Sequence, residues 1–137
     1  MKRFHFAEVT STNDLAKELT VDNEDIIVTA DFQTGGRGRN NKKWEGSHGK
    51  NVFFSYGLKH DPPLSPERII LLQALGAIAV KNTLGKFIPE ENIILKYPND
   101  ILIKKDGNFK KISGVLTEHA FQGRKCSVSV IGIGINT

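Results

Sequence analysis

The alternation of hydrophobic and polar positions along the chain predicts several short strands and two helices. The predicted strands alternate β-branched or aromatic residues with polar ones and are bounded by turn-forming residues. They cover Phe4–Val9, Ile26–Phe32, Asn51–Leu58, Ile93–Tyr97, Ile101–Lys105, Ile112–Phe121 and Cys126–Ile135. A short helix is predicted at DLAKEL, directly after three N-cap candidates, Ser11, Thr12 and Asn13. Capping alone would be enough to explain these three polar residues.

A longer helix is predicted from Ser65, a second cap candidate, to about Phe87, with Pro66 in its first turn. Its segment IILLQALGAIAV is apolar on nearly every face, so we expect a central helix covered on several sides. Gly76 within it is expected to permit close packing. The order of elements predicts an α+β fold, with a mixed, mainly antiparallel sheet and the helices on one side. The final predicted strand ends the chain, and an exposed strand there would offer an edge for dimerisation or aggregation.

Composition narrows the class of protein. The chain has 137 residues, 39% hydrophobic and 25% charged, which is typical of one globular domain. A single cysteine, Cys126, excludes a disulfide framework within the chain and predicts a buried, inert thiol. The four histidines show no ligand spacing, so no structural metal is predicted. We find no signal peptide and no apolar run long enough to cross a membrane, so a cytoplasmic protein is expected.

The net charge of +4 is concentrated in a glycine-rich basic loop between two predicted strands, Asp31–Lys50. Glycines let backbone N–H groups converge on an anion, and arginine adds a planar fork suited to phosphate. The loop is not a Walker A motif, because the chain contains no G-x-x-x-x-G-K-[ST]. The pattern therefore favours a local anion site over a nucleic-acid surface, and a solvated basic hairpin loop is the alternative.

Four motifs are weak individually. They are Ser11–Asn13 (STN), Gly35–Trp44 (GGRGRNNKKW), Lys96–Asp100 (KYPND), and Lys111–Leu116 (KISGVL) followed by Gly132–Asn136 (GIGIN). Pro-Asn-Asp between strands is most often a turn, and a lysine that opens a strand is most often solvated. GIGIN matches half of a dinucleotide fingerprint, but no helix can follow it in this chain.

In this order, from Val9 to Asn136, the motifs resemble those of the biotin protein ligases, also called biotin–acetyl-CoA-carboxylase ligases. The family pattern is S-T-N, Q-x-x-G-R-G-R with a following tryptophan, K-W-P-N-D, K-[IL]-x-G-[IL]-L and G-[IV]-G-[IL]-N. Two residues depart from it. Tyr97 replaces the usual tryptophan before Pro98, and Lys42 stands where a third arginine is common, which keeps charge but loses the bidentate fork.

The resemblance implies a catalytic-domain fold similar to that of class II aminoacyl-tRNA synthetases. Residues 1–137 would be the N-terminal and central part of that domain, without its C-terminal remainder and small β-barrel. The N-terminal DNA-binding domain of repressor-type members would also be absent, so no operator binding is expected.

The implied reaction has two steps. Biotin's carboxylate attacks the α-phosphate of MgATP to give biotinyl-5′-AMP and pyrophosphate. A lysine of a biotin carboxyl carrier protein, or of a carrier domain in a biotin-dependent carboxylase, then attacks this anhydride and releases AMP. ATP, Mg²⁺ and biotin are thus the implied ligands, and the metal arrives with ATP.

The resemblance also implies site residues. The catalytic residues are Arg37, Arg39, Lys111 and Asp100. The biotin site is formed by Ser11, Thr12, Asn13, Gln33, Gly35, Gly36, Arg37, Gly38, Trp44, Lys111 and Gly114. The nucleotide site is formed by Arg37, Arg39, Asn99, Lys111 and Asn136. Asp100 would orient or deprotonate the incoming lysine and pair with a loop arginine.

Three alternatives stay open. A lipoate or octanoate ligase shares the fold and the acyl-adenylate chemistry, although those relatives lack the GRGR loop. A fragment that binds biotin without turnover is the second alternative. A nucleic-acid-binding module is the third and the weakest, because Trp44 is the only stacking partner in the basic loop.

Overall fold

The computed structural model describes residues 1–22 and 24–137. The elements, in chain order, are β1 Lys2–Val9, α1 Thr12–Asp22, β2 Ile26–Gln33, β3 Asn51–Leu64, α2 Pro66–Leu84, β4 Ile93–Lys96, β5 Asp100–Lys105, β6 Asn108–Gln122 and β7 Lys125–Asn136. The described strands form a seven-stranded sheet in the order β1-β2-β3-β7-β6-β5-β4. β1 and β2 run parallel and the other neighbours run antiparallel. The predicted α+β class with a mixed, mainly antiparallel sheet is confirmed.

The final strand, β7, lies at the centre of the sheet between β3 and β6. The expectation of an exposed final edge is therefore wrong, and with it the predicted basis for dimerisation. The physical reason is visible in the apolar run of β7, where Val130 is 0% and Ile131 is 7% exposed. These neighbouring residues point to opposite faces, so β7 must be covered on both.

The two helices pack on opposite faces of the sheet, which corrects the expectation that both lie on one side. Ala16 of α1 is clustered with Val128 and Val130 of β7, whereas Ala77 of α2 is clustered with Ile131. Because side chains alternate along a strand, one helix meets the even-numbered residues of β7 and the other the odd-numbered ones. A sheet that is apolar on both faces needs a covering element on each.

One side of α2 is exposed, contrary to the expectation of a helix covered on several sides. Ile70 is 72%, Leu71 is 60% and Leu75 is 57% exposed. The helix buries its other side, which carries Gly76 and Ala77, against the sheet. A helix that is apolar all round has no preferred face, so its sequence does not indicate which side packs. No helix among the described residues is long and apolar enough to span a membrane.

Gly76 is the point of closest approach between α2 and the sheet. A Cβ placed there would lie 2.8 Å from Ile131 Cγ2 and 2.9 Å from Val115 Cγ1. We expect Gly76→Val to lower the free energy of unfolding by about 1–3 kcal/mol, because it overpacks this contact. Urea denaturation measures the change. Gly85→Ala is the control, since its Cβ would come no closer than 3.4 Å to the Lys81 carbonyl oxygen. Equal stability of the two variants would contradict the packing argument.

Two histidines share one serine hydroxyl on the α2 face. His60 Nε2 and His119 Nδ1 each lie 2.8 Å from Ser129 Oγ. Burial lowers the pKa of both imidazoles, and the neighbouring His60 lowers the pKa of His119 further. A histidine in the unfolded chain takes up its proton near pH 6.5, whereas these two stay neutral to lower pH in the folded protein. Their contribution to stability is therefore complete above about pH 6.5 and is lost as the pH falls through the lowered pKa values.

We accordingly expect the free energy of unfolding to fall between about pH 7.5 and pH 5.5. Urea denaturation at a series of pH values measures this. The double variant His60→Gln/His119→Gln is expected to lose much of the slope in that interval. A slope identical to that of the unmodified chain would contradict the assignment.

Candidate functional site

One pocket lies where the start of α1, the end of β2, the basic loop, the turn before β5 and the strands β6 and β7 meet. It is lined by Ser11, Thr12, Asn13, Gln33, Arg37, Gly38, Arg39, Trp44, Asn99, Lys111, Gly114, Val115, Leu116, Glu118, Gly132, Ile133 and Gly134. Most residues that the motifs singled out are thus gathered in one place, although they are spread over more than 100 positions of the chain. Three segments that are distant in sequence meet there because β7 joins the two halves of the sheet.

The start of α1 forms a polar wall of this pocket. Ser11 alone acts as a cap, with its Oγ accepting a hydrogen bond of 3.4 Å from the Asp14 N–H. Thr12 instead donates both its hydroxyl (2.8 Å) and its backbone N–H (2.6 Å) to Gln33 Oε1. Capping therefore does not account for the whole Ser-Thr-Asn motif.

Ser55 of β3 supports this wall from beneath and was missed by the sequence analysis. Its Oγ lies 2.8 Å from Thr12 Oγ1 and 2.6 Å from Asn13 Oδ1, and Ser55 is fully buried. Buried polar groups need partners, so this serine holds Thr12 and Asn13 in fixed orientations. The available signal was a lone hydroxyl within the otherwise apolar strand segment NVFFSYGL.

The floor of the pocket is glycine, and the Trp44 indole lies on it. A Cβ at Gly134 would fall 2.3 Å from Trp44 Cε2, and one at Gly114 would fall 3.0 Å from Trp44 Cζ3. Lys111 Nζ lies 5.2 Å from the indole centroid, which is within the range of a cation–π contact. Trp44 Nε1 is buried and has no hydrogen-bond partner in the described part of the chain. The indole, the glycine backbone and the lysine together make a flat, largely apolar slot with a cation at one end.

The glycines of GIGIN act in this floor, a role that the sequence analysis did not assign. A Cβ at Gly132 would overlap Asn13, just as one at Gly134 would overlap Trp44. The sequence did contain a signal for this role. Gly132 and Gly134 are two residues apart on one strand, so both had to face the same side of the sheet.

The basic loop is ordered by its own backbone contacts. Trp44 N–H donates to the Gly36 carbonyl oxygen at 2.9 Å, and Gly38 N–H donates to the Lys42 carbonyl oxygen at 2.7 Å. Arg37 and Lys43 form an isolated antiparallel bridge between these two bonds. The loop is thus a small folded-back ribbon rather than a freely solvated hairpin loop.

Gly35 and Gly36, which were predicted to help bind biotin, are not among the described residues that line this pocket. A Cβ at Gly36 would fall 2.6 Å from the Trp44 carbonyl oxygen, and one at Gly35 would fall 2.9 Å from Thr10 Cγ2. Both glycines therefore allow close packing behind the pocket.

Arg37 is paired with two carboxylates. Its terminal nitrogens donate to both oxygens of Asp14 at 2.6 and 2.5 Å, and Nη2 lies 3.3 Å from each oxygen of Glu118. The hydrogen bonds from Arg37 hold the pKa of Asp14 below its ordinary value, and the same contact raises the pKa of Arg37. Sequence reasoning missed both acids. Glu118 could have been suspected, because it follows Gly114 at a spacing that puts it on the same face of β6.

The other two cations have different partners. Arg39 Nη1 donates to Asn99 Oδ1 at 3.0 Å, and Lys111 Nζ lies 2.7 Å from Asp100 Oδ1. The expectation that Asp100 pairs with a loop arginine is thus corrected. Asp100 and Lys111 lie on the paired strands β5 and β6, beside a bulge in their register, and this brings the two side chains together.

Asn136 is not brought into the pocket. It accepts a hydrogen bond of 2.7 Å from Asn51 Nδ2 and lines a neighbouring depression at the end of β7. Among the described residues, no group of three or more His, Cys, Asp or Glu could hold a metal ion. Cys126 is buried and free, as expected.

Comparison with known proteins identifies the family. The family described as Biotin/lipoate A/B protein ligase matches residues 5–136. The bifunctional ligase/repressor BirA of Bacillus subtilis is 38% identical over 130 residues, which cover 93% of this chain and 38% of that protein. The biotin–protein ligase of Schizosaccharomyces pombe is 32% identical over 126 residues, or 83% of this chain and 20% of that protein.

Two solved structures agree with this assignment. Biotin protein ligase from Leishmania major in complex with biotin has a TM-score of 0.75 at 26% identity, over 97% of this chain and 56% of that one. The Aquifex aeolicus ligase in complex with biotin and ATP has a TM-score of 0.67 at 30% identity, over 99% of this chain and 53% of that one. The chain thus spans between a fifth and about half of the length of these relatives. It belongs to the biotin/lipoate A/B protein ligase family.

Proposed function

We propose that this chain activates biotin as biotinyl-5′-AMP and transfers the biotin to a lysine of a biotin carboxyl carrier protein. The observation that carries the proposal is that one pocket joins a polar wall, an indole-covered glycine floor and three cations, Arg37, Arg39 and Lys111. The Leishmania major structures contain biotin and biotinyl-5-AMP, and the Aquifex aeolicus structure contains biotin and ATP. These complexes support the same ligands for this pocket.

Biotin has a polar ureido ring, an apolar body and a carboxylate, and the pocket offers a matching surface for each. The ureido ring would bind at Ser11, Thr12 and Gln33, where hydroxyl and amide groups supply donors and acceptors. The apolar body would lie along the Trp44 indole, which covers the glycine floor. The carboxylate would then point to Lys111, at the cationic end of the slot.

The first step brings together two anions that repel each other. A carboxylate oxygen of biotin bonds to the α-phosphorus of ATP, and the bond from that phosphorus to the bridging oxygen breaks as pyrophosphate leaves. Lys111 would contact both anions and stabilise the charge that develops at phosphorus. Arg39 and Asn99 would hold the nucleotide, since Arg39 has an amide partner and no carboxylate partner in the part of the chain described.

Mg²⁺ would be carried by ATP. Glu118 lines the pocket and is paired with Arg37, and the neighbouring acids Asp14 and Asp100 are paired with Arg37 and Lys111. Hard oxygen ligands for the metal would therefore come mainly from the triphosphate and water, as is common for Mg²⁺ at nucleotides.

In the second step, the ε-amine of the carrier lysine attacks the acyl carbon and AMP leaves. Asp100 would orient this amine or accept its proton, and its contact with Lys111 puts it beside the carboxylate end of the slot. We propose that the acceptor is a carrier domain of a cytoplasmic biotin-dependent carboxylase and that neither nucleic acid nor membrane takes part.

The test is biotin transfer. The chain would be incubated with biotin, MgATP and a purified biotin carboxyl carrier domain, and intact-mass spectrometry would follow the carrier. Lipoate with a lipoyl domain would run in parallel. We expect a carrier mass that increases by one biotinyl group only when ATP and this chain are both present. Modification of the lipoyl domain instead would contradict the proposal, and calorimetric biotin binding without transfer would indicate a binding fragment.

A further inference from the structure

Arg37 makes its closest contacts with protein carboxylates. Its fork meets Asp14 of α1 through two hydrogen bonds, at 2.6 and 2.5 Å, and Glu118 of β6 at 3.3 Å. Bidentate guanidinium–carboxylate pairs are among the strongest and most directional side-chain contacts. The loop that carries Arg37 is thereby tied to two separate elements, α1 and β6.

This contact continues into the polar wall. Glu118 Oε2 also accepts a hydrogen bond of 2.7 Å from Asn13 Nδ2, and Asn13 Oδ1 lies 2.6 Å from Ser55 Oγ. Ser55 is in turn within 2.8 Å of Thr12 Oγ1. An unbroken chain of polar contacts thus connects the Arg37 guanidinium with the hydroxyl and amide groups proposed to bind biotin.

The backbone of Arg37 holds the Trp44 side of the loop. Arg37 is bridged to Lys43, and the preceding residue, Gly36, accepts the Trp44 N–H at 2.9 Å. A guanidinium fixed on Asp14 and Glu118 therefore fixes the ribbon from which the indole reaches the glycine floor.

The charges around Arg37 argue against its guanidinium also binding the triphosphate of ATP. If Arg37 turned toward a triphosphate, Asp14 and Glu118 would be left as two unpaired carboxylates at the opening of the pocket. They would repel the anion that Arg37 had turned to bind. Arg39 could turn toward the nucleotide without leaving an unpaired carboxylate, because its partner is the amide of Asn99. Lys111 would leave only one, Asp100.

We infer that Arg37 is a positioning residue, which clamps the basic loop and Trp44 over the pocket through Asp14 and Glu118 and does not bind the phosphates of ATP. This revises the role that the family resemblance implied for Arg37 and rests on the proposed function. It assigns biotin retention to Arg37 and nucleotide binding to Arg39.

The first test needs no ligand, because Trp44 is the only tryptophan in the chain and its fluorescence reports the loop alone. Arg37→Lys keeps the charge but removes the fork, so the clamp should loosen. We expect acrylamide to quench Trp44 markedly more in Arg37→Lys and in Glu118→Gln than in the unmodified chain. Arg39→Lys is the matched control on the same loop and should quench like the unmodified chain. Equal quenching in all four proteins would overturn the clamp, whether or not the chain makes biotinyl-adenylate.

The second test separates the two ligands by calorimetry, with biotin and with the non-hydrolysable analogue adenosine 5′-(β,γ-imido)triphosphate. The clamp predicts that Arg37→Lys and Glu118→Gln each weaken biotin binding by about tenfold, a change of about 1.4 kcal/mol, and leave binding of the analogue unchanged. The effects should not add in the double variant, because both substitutions weaken the same contact between Arg37 and Glu118. A phosphate-binding Arg37 predicts the opposite pattern. Arg37→Lys would then weaken the analogue, and Glu118→Gln would tighten it by releasing the guanidinium, and either result would overturn the inference.

Discussion

Replacing Lys111 with methionine is expected to slow biotinyl-adenylate formation by about 10²–10³-fold, the loss typical when one preorganised group that stabilises a developing charge is removed. Lys111 Nζ lies 2.7 Å from Asp100 and 5.2 Å from the Trp44 centroid, so it stands where the proposed carboxylate end of the slot meets the nucleotide. Methionine preserves the length and apolar contacts of the side-chain stem and removes only the ammonium group.

The measurement is a single-turnover assay at saturating biotin and MgATP, in which the quenched mixture is analysed for biotinyl-5′-AMP. The folded structure should survive, because the Lys111 side chain is 41% exposed and Asp100 keeps a hydrogen bond of 3.0 Å from Asn99 Nδ2. Lys110→Met is the matched control, since Lys110 precedes Lys111 on β6, points to the other face and is exposed. A loss at Lys111→Met no larger than at Lys110→Met would remove Lys111 from the mechanism.

Replacing Gly134 with valine is expected to weaken biotin binding by at least ~100-fold, which corresponds to about 2.8 kcal/mol. The new Cβ would fall within 2.3–2.6 Å of three indole atoms of Trp44, so the indole could not lie on the floor. Valine suits an extended strand, and the clashing group is a loop side chain that can move away. The expected result is therefore a folded protein without its slot.

Isothermal titration with biotin measures the binding, and urea denaturation checks the fold. Ile131→Val provides the comparison on the same strand, because Ile131 faces α2 and does not line the pocket. It should lose some stability and bind biotin normally. Biotin binding by Gly134→Val as tight as that of Ile131→Val would mean that the ligand lies elsewhere.

Local patterns in the sequence were sufficient to predict most strands, both helices and the motifs that meet in the pocket. They were not sufficient to predict which strands are neighbours. The apolar stretch around Val130 and Ile131 indicates a strand buried on both faces, yet chain order suggested an edge strand at the end of the sheet. Strand order depends on contacts between distant segments, which a periodicity does not encode.

The partners of charged side chains were equally hard to predict. Arg37 could have met phosphate, Asp100 or any other acid. The alternation along β6 places Glu118 on the same face as Gly114, but no spacing in the sequence pairs either Glu118 or Asp14 with Arg37. That choice follows from the fold, which brings the first turn of α1 and the middle of β6 to the same side of the opening. The glycines were easier in principle, because Gly132 and Gly134 alternate along β7 and so had to share one face.

If one pocket in these residues holds biotin and ATP in position to react, the chain makes the mixed anhydride without a carrier protein. The most direct measurement is mass spectrometry of the quenched mixture after the unmodified chain has been incubated with biotin and MgATP. We expect biotinyl-5′-AMP and pyrophosphate in equal amounts, with no adenylate when lipoate replaces biotin. Absence of biotinyl-5′-AMP under conditions where calorimetry shows both biotin and the nucleotide bound to the chain would contradict it.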